Sequence, residues 1–286
     1  AMTLQEAEKF GAKTIGVGMN MTDAAKPLIL DEAGGIGIFA VGYQRGCKPA
    51  GEDKGGCLSW SEMEVIRSVI QEIKAKCRWC VVVAHGGEEF TAIPSPYTRE
   101  RYHAYLEMGA DLVVCHHPHV PMNYETVGDK MIFYSLGNFI FDTDYQRAQF
   151  NTEKGILLKL HFTETKYSFE ALGLKINREN EHIETAPLPK IFADIQEDDY
   201  NKLEPLAAKM FLAATKRQQL FLYPDKFKNA TEAQWKDHFY EEKRSGRVPG
   251  EALDFQIIYP IAQEEAKGAW KECKLEDVKA YILEQM

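Results

Sequence analysis

The sequence predicts an α/β fold: a mixed β-sheet flanked by helices, followed by a mainly helical C-terminal subdomain. Three observations carry this reading. Two apolar stretches, Cys80–Ala84 and "ADLVVC" (110–115), have the pattern of strands buried on both faces. Amphipathic segments of helical period precede and separate them. Beyond them, "KGILLKLHFTE" and "KYSFEALGLKI" alternate as antiparallel strands do. Strand–helix–strand–helix–strand followed by further strands places helices against a sheet.

Element by element, "KTIGVG" (13–18) and "GGIGIFAVGY" (34–43) read as Gly-bounded strands rich in Ile and Val. "SWSEMEVIRSVIQEIKAKC" reads as a helix, with Ser59 or Ser61 available as its cap. Met63, Ile66, Val69, Ile70 and Ile73 line one face. "TRERYHAYLEMG" is a second helix, stopped by Gly109. "KMIFYSLGNFIF" is a strand followed by a turn. The first domain is assigned to residues 1–180. After the Pro-marked connector "ETAPLPKIF", helix-like segments at 197–221, 231–244 and 274–284 make up the helical subdomain, residues 181–286.

Composition narrows the function. The 286 residues carry a net charge of −9, which argues against a nucleic-acid partner, since such binding needs a basic face. No apolar run approaches a membrane span, and the first residues lack a signal peptide's apolar core. Six irregularly spaced cysteines do not read as a disulfide framework. That favours a reducing, cytoplasmic setting. Cys77 and Cys80 form a C-x-x-C without the second pair of a zinc site, so a structural role outweighs a redox or zinc one. Cys47 and Cys57 flank a Gly-rich loop, and their pairing is left open.

The chemistry concentrates in "DLVVCHHPHVPM". His116, His117 and His119 follow one buried strand, and His85 follows another. Sites in such sheets gather on the loops at strand ends. Imidazole suits Zn, Mn, Fe and Ni. Pro118 restrains the turn between His117 and His119, and a tight loop could aim both rings at one cavity. Histidines at strand ends also simply hydrogen-bond backbone, and that reading stays open. Glu88 and Glu89, in the His85 loop, are general acid/base candidates or a solvated pair. The sequence has no H-E-x-x-H, no G-x-S-x-G and no P-loop, and "GVGMN" is a glycine turn rather than a dinucleotide fingerprint.

"AHGGEEF" and "GADLVVCHHPHVPMNYETVGDKMIFYSLGNFIFD" together resemble the bacterial capsule-synthesis CapA family, linked to poly-gamma-glutamate. That family belongs to the calcineurin-like metallophosphoesterases. The resemblance covers about residues 4–175 and implies a metallo-dependent phosphatase-like sheet. It implies metal ligation by His85, His117 and His119, and two divalent ions in the intact domain, with Mn, Zn and Fe not distinguished. Glu89 matches the Glu of the family's His-Trp-Gly-x-Glu-Tyr pattern and is a candidate catalytic residue. Gly86 replaces the Trp of that pattern and Phe90 its Tyr. Gly137 and Asn138 match the Leu-Gly-Asn-Phe turn and, with His116, are expected to shape the site.

The resemblance also exposes a gap. The superfamily's Asp-x-His, early Gly-Asp and Asn-His motifs are missing, and with them the bridging carboxylate. The chain therefore reads as lacking the first part of the family domain. The expectation is a metal-dependent, phosphoesterase-type hydrolase of capsule or poly-gamma-glutamate biosynthesis, inactive as this chain alone. Its substrate would be a small-molecule or polymer-linked anion. The alternative is a non-catalytic binding or scaffold module in polymer synthesis or export.

Overall fold

The computed structural model describes residues 2–43, 47–147, 149, 151–201, 203, 204, 207 and 231. The chain begins with α1 (Met2–Lys9), β1 (Val17–Gly18), α2 (Met21–Ala25) and β2 (Leu28–Leu30). The central elements follow: β3 (Ile36–Gly42), β4 (Gly56–Cys57), α3 (Met63–Lys76), β5 (Trp79–His85), α4 (Pro96–Met108) and β6 (Leu112–Cys115). Then come β7 (Tyr124–Val127), β8 (Lys130–Phe133), α5 (Asp144–Arg147), β9 (Lys154–Phe162), β10 (Tyr167–Asn177) and β11 (His182–Ala186).

Six strands form one mixed sheet in the order β2-β3-β5-β6-β8-β7. β3, β5, β6 and β8 run parallel, and antiparallel β2 and β7 close the edges. α3 and α4 cover one face. Ile66, Val69, Ile70 and Ile73 form the buried stripe of α3, spaced three and four residues apart. On the other face Trp79, Val81, Leu112 and Phe133 pack against Leu158, Leu160, Phe162 and Phe169. These belong to a separate antiparallel sheet, β11-β10-β9. The Trp79 indole N–H donates to the Thr163 carbonyl (2.7 Å), joining the two sheets. The described residues thus form a stack of helices, mixed sheet and antiparallel sheet. Because the central strands are buried on both faces, they read as unbroken apolar runs.

Local details differ from the sequence expectation at several points. Within 13–18, strand pairing is confined to Val17–Gly18, against β4. "GVGMN" leads into α2, whose cap is Asn20: its side chain accepts from the Asp23 N–H at 2.8 Å. Neither Ser59 nor Ser61 caps α3. The two hydroxyls bond each other at 2.7 Å, and Glu62 holds the cap position without a side-chain bond. α4 follows the rules more closely, with Ser95 as cap, Pro96 in the first turn and Gly109 at the end. The antiparallel sheet runs past residue 180 into β11, and residues 197–201 are helical. The rest of the helical subdomain expected over 181–286 lies outside the described residues, apart from a few positions.

A buried ion pair fixes α4 to the edge hairpin. Glu125 of β7 accepts from Arg99 Nε (3.1 Å) and Nη2 (2.6 Å), and from the Tyr134 hydroxyl. His103 Nε2 lies 3.1 Å away. Burial opposes the charge on Glu125, but the neighbouring His103 and the hydrogen bonds from Arg99 and Tyr134 outweigh it and hold the carboxyl at about 2. A carboxyl lowered on folding stabilises the fold fully above its ordinary pKa of about 4.3. That contribution is lost as pH falls through about 2. Glu125→Gln should cost about 3 kcal/mol in urea unfolding at pH 7. It should also flatten the acid side of the stability profile; an unchanged profile would dismiss the coupling.

The loop after β8 turns on Gly137, at φ +71°. A Cβ there would sit 2.6 Å from the Lys154 carbonyl oxygen and 3.0 Å from Pro121 Cδ. Gly128 has a similar φ, +65°, with nothing within 4 Å. Gly128→Ala should therefore cost only about 1 kcal/mol of backbone strain, and Gly137→Ala at least about 2 kcal/mol more. Equal thermal shifts in the two variants would show that the close approach is not a constraint.

Candidate metal centre

Parallel pairing sends β3, β5, β6 and β8 to the same edge of the sheet. In register, Gly42 lies opposite His85, and Ala84 opposite Cys115. The loops that follow line a cleft of about 830 Å³, with His85, Glu89, His116, His117, His119, Gly137 and Asn138 in its wall. The rings of His85 and His117 lie 4.7 Å apart, His85 and His116 5.1 Å, and His117 and His119 5.7 Å. The turn that gathers them is His119 itself, at φ +64°. The Phe90 N–H donates to the Pro118 carbonyl (2.8 Å) and locks the two histidine loops together.

Hydrogen-bond logic assigns the His119 tautomer. Asn138 Nδ2 lies 3.1 Å from the Thr152 carbonyl oxygen, which can only accept, and 3.1 Å from Gln146 Oε1. The amide nitrogen therefore faces these acceptors, and Oδ1 faces His119 Nδ1 at 2.9 Å. Nδ1 must donate. That leaves Nε2 as the ring nitrogen facing the cleft, 3.9 Å from Glu89 Oε1. Fixing one ring nitrogen in this way prepares the other as a ligand. Ligand atoms of Glu89, His117 and His119 all lie within 4.8 Å of one another.

His85 Nε2 and His117 Nδ1 stand 3.2 Å apart. Burial pushes the His85 pKa down to about 4, helped by the nearby titratable rings of His116 and His119. Burial, then His85, His119 and His116, pushes His117 down to about 3. His116 is lowered by burial and by His119. At neutral pH these rings are uncharged and keep a lone pair for coordination. The donor set, imidazoles with one carboxylate, fits a divalent transition metal.

The adjacent glutamates divide. Glu88 turns away from the histidines and accepts from Ser95 Oγ (2.9 Å) and Thr98 Oγ1 (3.0 Å) at the start of α4. Burial raises its pKa, and those hydrogen bonds oppose the rise. Glu89 turns into the cleft.

Several contacts had no distinct signal in the sequence. The His119 ring is stacked between Phe90 (5.6 Å) and Phe141 (5.3 Å). Tyr43, at the end of β3, lies 5.6 Å from His117. Exposed Phe139, Ile140, Phe141 and Tyr145 form an apolar wall to the cleft. Gly86 lies against Trp60, whose ring atoms would be 2.4 Å from a Cβ at that position.

Comparison with known proteins follows the same residues. The sequence pattern described as "Bacterial capsule synthesis protein PGA_cap" matches residues 1–143, a span that holds every cleft residue named above except Tyr145 and Thr152 and Gln146 behind it. The chain is 32% identical over 151 residues to the PGA biosynthesis protein CapA of Bacillus subtilis (strain 168), covering 51% of this chain and 39% of that protein. It is 30% identical over 141 residues to the capsule biosynthesis protein CapA of Bacillus anthracis, covering 47% and 34%. The chain thus matches well under half the length of either relative. With half of its residues matched by the family pattern, and the cleft inside that half, this chain belongs to the bacterial capsule synthesis protein PGA_cap family.

Proposed function

We propose that the cleft holds a divalent metal and serves a phosphoesterase-type hydrolase of capsule or poly-gamma-glutamate biosynthesis. The observation that carries this reading is the oriented His119, with a ligand atom beside those of His117 and Glu89. His117 and His119 would hold the metal, with His85 beside His117 and Glu89 as a further ligand or as the acid/base. A metal held there would polarise a phosphoryl oxygen and lower the pKa of water at neutral pH. The chain's own groups would position it: Asn138 orients His119, and Phe90 and Phe141 stack against its ring. The substrate would be a small-molecule or polymer-linked anion, neutralised by the metal within a chain of negative net charge.

One observation favours a second reading. Among the described residues, Glu89 is the one carboxylate lining the cleft. A two-metal centre normally shares a bridging carboxylate. A metal-binding but non-catalytic module in polymer synthesis or export is the rival.

Titration of the metal-stripped chain with Mn²⁺ and Zn²⁺ by calorimetry should show binding that His117→Ala/His119→Ala abolishes. Asn138→Ala should weaken it by about 10- to 100-fold while the circular dichroism spectrum is kept. Wild-type affinity in the double variant would sink the metal reading. Metal binding without hydrolysis of p-nitrophenyl phosphate mono- or diesters would support the non-catalytic module instead.

A further inference from the structure

Cys47 lies in the connection between β3 and β4, Cys57 is the last residue of β4, and nothing in the cleft chemistry uses either residue. We propose that Cys47 and Cys57 close into a disulfide, a redox modification site that staples this loop beside the cleft. Both thiols are free and half-buried, and the Cys47 side chain is hydrogen-bonded to Cys57. The backbone holds them together independently of that bond. The Cys57 N–H donates to the Lys48 carbonyl (2.8 Å), the Ala50 N–H donates to the Cys57 carbonyl (2.9 Å), and Pro49 bridges Cys57 in parallel. Gly42 provides the space. From a Cβ placed there, Cys47 Cβ would lie at 3.1 Å, Cys47 Sγ at 2.6 Å and Cys57 Cβ at 3.8 Å. Both Cβ atoms thus border one point above a residue without a side chain. A disulfide needs two Cβ atoms about 3.5–4.5 Å apart.

The other described cysteines are placed differently. Cys77, Cys80 and Cys115 are buried in the core under α3 and α4. Burial raises all three thiols, Cys80 to about 12. Cys47 is raised to about 11 by burial and by Cys57, so uncatalysed exchange there is slow and incubation must be long.

The oxidant is a small-molecule disulfide. One cysteine thiolate attacks it, forming a mixed disulfide and releasing one thiol. The second cysteine then attacks the protein-side sulfur and expels a second thiol. One protein S–S bond forms, two S–H bonds are lost, and the two protons end on the two released thiols. The staple would act on the cleft through Tyr43. The Cys47 N–H donates to the Tyr43 carbonyl (3.0 Å), the Tyr43 N–H donates to the His85 carbonyl (2.8 Å), and the Tyr43 ring lies against Trp60 and His117.

The test uses the full chain, equilibrated with excess oxidised glutathione, alkylated, digested and mapped by mass spectrometry without reduction. The expected product is one peptide pair linked through Cys47 and Cys57. It should vanish in Cys47→Ser and in Cys57→Ser and persist in Cys273→Ser. The oxidised wild type should melt roughly 5 °C higher, and dithiothreitol should reverse the rise. Recovery of Cys47 and Cys57 as free thiols or as separate glutathione adducts overturns the proposal. The wild-type map decides this even if a serine variant fails to fold.

Discussion

Everything at the cleft depends on the in-register parallel pairing of β3, β5, β6 and β8. A parallel strand can be followed by its neighbour only through a crossover, and here α3 and α4 provide two of these. The crossovers return each strand to the same starting edge, so every loop beyond the strands emerges at the opposite one. Residues 43, 85, 116–119 and 136–138 are far apart in sequence and meet for that reason alone. A slip of one residue in β5 or β6 would turn the apolar side chains of that strand to the other face. It would also move the histidines out of the cleft.

A second level of order is built from hydrogen bonds whose direction is forced. The Thr152 carbonyl fixes the Asn138 amide, and the amide fixes His119. Thr152 lies in the turn two residues before β9, so the approach to the antiparallel sheet contributes to the orientation of the His119 ring. The family match stops at residue 143. The site therefore draws its support from chain outside the part that identifies it.

The sequence disclosed the central strands, both large helices and the histidine cluster, because each follows from a local pattern. Cys80–Ala84 and Leu112–Cys115 had to be buried strands, and the loops beyond such strands are where ligands gather. What stayed hidden depends on tertiary partners. Ser59 and Ser61 look like helix caps, yet their hydroxyls satisfy each other. Short, polar β7 and β11 carry little hydrophobic period and are strands only because β8 and β10 lie beside them. Glu88 and Glu89 are indistinguishable as letters. The hydroxyls of Ser95 and Thr98 draw one carboxylate to the helix start and leave the other in the cleft. The Phe90–His119–Phe141 stack spans three loops and has no linear signature.

Gly86 shows how the space beside one position can be filled from another part of the chain. The related pattern has an indole at this point of the chain; here the position carries no side chain at all. The space is filled by Trp60, which arrives from the segment between β4 and α3. Trp60 is held there by the Arg101 guanidinium over its ring (4.5 Å), and its carbonyl accepts from Arg101 Nη1 and the Tyr105 hydroxyl. Volume beside the histidines is thus a property of the neighbourhood rather than of one column in an alignment. Read by position, Gly86 is an absent side chain; in the fold, that space is occupied by a ring anchored to α4.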